Sequence, residues 1–147
     1  MHLHKQVEVI YQGHQITIDE GLKELLPLIW KFGIKTELSC QENKPGIAWI
    51  SFNTSHDAKM FLNLAAVYPE DDVPLWETMC GRILQYGEKD NWQYESVIIN
   101  NAEITNPETK NIDVNISISV RFPVTDINEI TKNLSNRIFH DKLLVRH

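Results

Sequence analysis

Gly33-Ile-Lys-Thr-Glu-Leu-Ser-Cys-Gln-Glu-Asn-Lys-Pro-Gly-Ile-Ala-Trp-Ile-Ser-Phe52 reads as a strand, a polar turn and a returning strand. Ile34, Thr36, Leu38 and Cys40 alternate with Lys35, Glu37 and Ser39, which predicts a strand over Ile34 to Cys40 with the Cys40 sulfur pointing to the Leu38 side, into a core. Gln41 to Gly46, ending in Pro45-Gly46, is the polar turn, and Ile47 to Phe52 returns with Ala48, Ile50 and Phe52 on one face. Trp49 falls on the opposite face, so either a second layer covers it or a partner does.

Working toward the N-terminus, Val7, Val9 and Tyr11 alternate with Glu8 and Ile10, and Gly13 separates them from Gln15 to Ile18, which predicts a hairpin. Asp19 offers an N-cap to a helix whose apolar positions are Leu22, Leu25, Leu26, Ile29 and Trp30. Pro27 should either kink that helix or make it begin later, and Gly33 ends it. Toward the C-terminus, Thr54 and Asp57 form a capping box for a helix over His56 to Tyr68, stopped by Pro69. Pro74 and Gly87 bracket a third helix over Leu75 to Tyr86, with Gly81 weakening it. Ile112, Val114, Ile116, Ile118, Val120 and Phe122 alternate with polar residues, predicting a long strand with one wet face. It pairs with Trp92 to Ile104 through the turn-rich Asn106 to Asn111, and a final helix carries Ile127, Ile130, Leu134 and Ile138. The order is ββ-α-β-β-α-(α)-β-β-α: an α+β fold with a largely antiparallel sheet and helices packed on one side.

The 147 residues suit one domain over 1–147, with 139–147 expected as a mobile tail because no periodicity is readable from Phe139 onward. A 42% apolar and 23% charged composition is that of a folding domain. No long apolar run or secretory signal opens the chain, so a cytoplasmic protein without membrane contact is expected. Two cysteines, Cys40 and Cys80, are then reduced thiols. A net charge of -6 argues against an extended nucleic-acid track.

The residues from Ile18-Asp-Glu20 through Leu25 to Trp30, Gly33-Ile-Lys-Thr36, Ser39-Cys-Gln41, Ala48 to Phe52 and Asp57-Ala58 resemble a family of small uncharacterised bacterial and phage proteins. Val120-Arg-Phe-Pro123 before the last helix fits the same pattern. Where the family pattern carries Gly after Ser-Cys-Gln, this chain carries Glu42. The resemblance implies no activity. A strand ending in Ser-Cys is also similar, more remotely, to the wybutosine-tRNA methyltransferase family, without residues enough to carry a substrate or cofactor across.

Cys40 at a strand end, with Ser39, Gln41 and Glu42 about it, is the place to look for a site. As a nucleophile Cys40 would need a lowered thiol pKa and a base in reach, and no spacing nominates a histidine. The plain alternative is a small buried hydrophobe. Arg121, on the polar face of the long strand, is either a solvated charge or an anion contact. The six histidines include no His-x-x-x-His pair, and His2-x-His4 lies at the terminus, so no metal site is expected. Met79-Cys-Gly-Arg82 is too weak for an anion cradle, and Walker and nucleophile-elbow motifs are absent. With no catalytic constellation and no implied cofactor, the sequence favours a non-enzymatic binding module built on Ser39, Cys40, Gln41, Glu42, Trp49 and Arg121. Its partner is an unknown protein or small molecule, a second copy of the chain included. The alternative is a small enzyme or ligand pocket centred on Cys40-Gln41.

Overall fold

A computed structural model describes residues 4–70, 72–85, 91–99, 105–106, 108, 111–112 and 115–145. The predicted C-terminal cap at Gly87 and the continuation of the second hairpin strand to Ile104 lie outside the described residues.

The N-terminal hairpin forms as its alternation dictates: β1 (Gln6–Tyr11) pairs antiparallel with β2 (His14–Asp19). Gln12 and Gly13 make the two-residue turn, both at positive φ. Val7, Val9 and Ile16 pack against the core, while Ile10 stays exposed. A 3-10 turn over Glu20–Leu22 follows, and α1 runs from Leu25 to Lys31. Asp19 makes no cap bond, and the helix starts later than the apolar spacing suggests. This later start is the second of the two outcomes that Pro27 allowed. Pro27 now sits in the first turn, where an amide N–H has no intrahelical acceptor to lose. Gly33, at φ +77°, stops the helix.

The decisive stretch folds with a shifted boundary. Residues 34–38 are not in a strand; β3 spans Ser39–Lys44, and only Pro45 and Gly46 turn before β4 (Ile47–Phe52). Glu37 N–H donates to the Ser51 carbonyl, Ser51 N–H donates to the Leu38 carbonyl, and regular pairing begins at Ser39 opposite Ile50. The alternation across 34–40 therefore breaks. Ile34 is buried, Leu38 is 58% exposed, and Cys40 is half-buried opposite Trp49. Residues directly opposite in a sheet share a face. Cys40 therefore lies on the Trp49 side, not on the Ala48, Ile50, Phe52 side.

β4 pairs antiparallel with β8 (Asn115–Pro123), which pairs with β5 (Gln93–Ile99), giving a four-stranded sheet ordered β3-β4-β8-β5. The short β6 (Thr105–Asn106) and β7 (Asn111–Ile112) pair with each other. The α+β reading holds, with α2 (Ser55–Ala65) packed on β4 and β8, and α4 (Ile127–Val145) packed on α2 and α1. Thr54 caps α2 as its capping box predicts: its Oγ1 accepts from Asp57 N–H at 3.1 Å and donates to Asp57 Oδ2 at 2.8 Å. The predicted third helix is in two pieces, a 3-10 turn over Leu75–Glu77 and α3 (Met79–Ile83). α4 continues to Val145, beyond the point where the sequence loses its periodicity.

The core is aromatic at its centre. Phe61 of α2 lies against Phe52, Trp92 and Phe122, and Trp92 stacks on Phe122 with ring centroids 4.7 Å apart. At its edge Asp126, 4% exposed, accepts from Trp92 Nε1 at 3.0 Å and pairs with Arg82 Nη2. The expected wet face of β8 is closed at Ser117 and Ser119, both 5% exposed. No helix among the described residues is long and apolar enough to cross a membrane.

Candidate functional site

Every candidate residue lies on the edge strand β3, on its neighbour β4 or on β8 beyond it. Cys40 is opposite Trp49, and Trp49 is opposite Arg121, so the three form one row across β3, β4 and β8. The Arg121 guanidinium carbon is 5.8 Å from the Trp49 ring centroid, within cation–π range. Arg121 Nη1 also donates to Glu95 Oε2 at 3.2 Å. Two cross-strand neighbours thus account for this cation. Trp49 Nε1 is buried and has no hydrogen-bond partner among the described residues.

The outer edge of β3 is tied to the end of the N-terminal hairpin. Gln41 N–H donates to Asp19 Oδ2 at 2.9 Å, and Gln41 Oε1 accepts from Gly21 N–H at 2.7 Å. A Cβ at position 21 would stand 2.7 Å from that oxygen, so a larger residue there would push the Gln41 amide aside. One residue further on, His4 Nε2 is 3.1 Å from the Glu42 carbonyl. Asp19, buried to 8% exposure, serves this junction instead of capping the helix.

The same junction surrounds Cys40. A ring nitrogen of His4, a carboxylate oxygen of Asp19 and the Cys40 Sγ all lie within 4.8 Å of one another. Burial pushes the Cys40 thiol pKa up; a bond from the Glu42 backbone opposes this, and the Asp19 and Glu42 carboxylates add to it. A thiol in this setting stays protonated near neutral pH, the reverse of what a nucleophile requires. Cys80 is buried, and its thiol is likewise raised by burial. His4 and Asp19 were not singled out by sequence as members of a site. They are 36 and 21 residues from Cys40 in the chain, and no spacing motif spans such separations. Asp19 carried a signal, but a helix-capping one.

Beside this junction, between the hairpin, α1 and residues 34–39, opens a cleft of about 360 Å³. Tyr11, Trp30, Ile18 and Leu26 supply apolar lining, and Asp19, Glu37 and Ser39 line its polar part. Tyr11 and Trp30 stack with centroids 4.1 Å apart, and Trp30 Nε1 donates to Thr36 Oγ1 at 2.9 Å, fixing the indole. Burial, followed by the Asp57 carboxylate, pushes the Tyr11 hydroxyl pKa up against a backbone bond from Thr36. Trp30, expected as a buried helix-stripe residue, is instead half-buried as part of the cleft wall. Of the sequence candidates, only Ser39 lines this cleft.

No protein-family model matches the chain. An uncharacterised protein, R428, of Acanthamoeba polyphaga mimivirus is 26% identical over 136 residues, covering 87% of this chain. The chain spans 66% of that relative's length. No solved structure matches.

Proposed function

We propose that the chain is a non-enzymatic binding module that takes a small ligand, an apolar ring bearing a cationic group, in the cleft between the hairpin, α1 and residues 34–39. The lining carries this reading: a fixed Tyr11–Trp30 wall with the carboxylates of Asp19 and Glu37, and no Lys, Arg or His in the lining. A volume of about 360 Å³ is within the range of small-molecule sites, which are mostly apolar with a few placed polar groups. A ring stacks on the aromatic wall while its cation meets the carboxylates. The raised Cys40 thiol supports binding over covalent catalysis.

Calorimetric titration with phenethylamine, and with phenylpropionate as the matched anion, tests this. The amine should bind saturably and the carboxylate should not. Glu37→Gln should weaken amine binding by about fivefold, one solvated charge pair being worth about 1 kcal/mol. Trp30→Ala should abolish it, and Trp49→Ala should leave it unchanged. Failure of the amine to saturate, or equal binding of both ions, ends the proposal.

A further inference from the structure

We propose that His4, Asp19 and Cys40 form a zinc-class metal site that clips the N-terminus and the hairpin to the edge of β3. Imidazole, carboxylate and thiol together suit a borderline-soft divalent ion such as zinc or cobalt; calcium and magnesium take oxygen ligands. In a tetrahedral site with bonds of about 2.0–2.3 Å, ligand atoms stand about 3.3–3.8 Å apart. The three atoms here lie within 4.8 Å of one another, so side-chain rotation of about 1 Å closes the set.

The surroundings have the form of an outer shell. Asp19 Oδ2 is held by Gln41 N–H, and Gln41 is itself fixed on Gly21. The Glu42 carbonyl holds one nitrogen of the His4 ring, which sets the tautomer and leaves the other as a lone-pair donor. Binding forms a metal–sulfur bond, and the Cys40 proton leaves to the buffer. The fourth position falls to solvent. The inference does not depend on the cleft taking a ligand.

The test is Co²⁺ titration of the reduced full chain after chelation. One equivalent should give a near-ultraviolet thiolate-to-cobalt band, bleached by Zn²⁺ and unaffected by Ca²⁺ or Mg²⁺. Cys40→Ser should abolish the band and Cys80→Ser should keep it. His4→Ala and Asp19→Asn should each weaken Co²⁺ binding by more than about tenfold, at least the loss seen when an outer-shell group is removed. His4 precedes the first strand, so its variant should fold as the parent does; Asp19→Asn keeps an acceptor for Gln41. A band that is absent, follows Cys80, or survives unchanged in both His4→Ala and Asp19→Asn overturns the site.

Discussion

Asp126 engages two groups that would otherwise be stranded at the edge of the core, the Trp92 indole N–H and the Arg82 guanidinium. Nothing in the sequence around Asp126 points to partners 34 and 44 residues away. Removing one member of an enclosed ion pair leaves the other charge desolvated. Asp126→Ala should therefore cost about 3 kcal/mol in urea denaturation. Replacing both ends together, Asp126→Leu with Arg82→Met, should cost less, because no orphaned charge remains. Tyr94 gives a second prediction at this scale. Its hydroxyl donates to the Ile83 carbonyl at 2.8 Å, and burial pushes its pKa up to about 12. An unfolded tyrosine ionises near pH 10, so between about pH 10 and 12 the folded chain binds more protons than the unfolded one. Stability should be flat in this group below pH 10 and fall as pH rises to 12. Thermal melts of the parent and Tyr94→Phe across that window check it: the Tyr94 contribution to the decline should vanish in the variant.

Among the elements, those written in local chemistry were legible. The hairpin turn and the Thr54 cap each depend on residues within a few positions of one another, whereas the alternation of β8 placed the strand but not its faces: Ile116 is 50% exposed while Ser117 and Ser119 are buried. β3 was misplaced because two different causes imitate one alternation. Ile34 is buried beyond the end of α1, whereas Cys40 is placed by pairing with Trp49, and Leu38 between them is left exposed. The third helix was also over-extended. Thr78 divides it, its Oγ1 accepting from Gly81 N–H at 3.2 Å and donating to the Leu75 carbonyl at 2.7 Å. Gly81 then faces the preceding turn so closely that a Cβ would lie 2.0 Å from the Leu75 carbonyl oxygen. Helix propensity alone would make Gly81→Ala stabilising by about 1 kcal/mol. Backbone overpacking of about 1–3 kcal/mol opposes it, and a 2.0 Å contact belongs at the upper end. The net effect should be a loss of about 2 kcal/mol, seen as a lower urea midpoint at unchanged slope.

Across the whole molecule, the α+β layering was readable because each amphipathic stripe has one way to be buried. The site was readable only in part. Ser39-Cys-Gln41 lies on the edge strand of the sheet, but the groups that approach Cys40 there, His4 and Asp19, arrive through the packing of the hairpin, which no local pattern encodes. The same non-locality has a temporal side. β4 and β8 are adjacent in the sheet yet separated in the chain by α2, α3 and β5. A hairpin such as β1–β2 closes in about 1–10 μs, whereas pairing across long stretches of chain must first meet the entropy of a large loop. During synthesis, β4 is made well before the strand that covers its free edge. Ala48, Ile50 and Phe52 must wait for Val120 and Phe122, leaving the nascent chain an interval in which chaperones or other chains can reach an apolar strand.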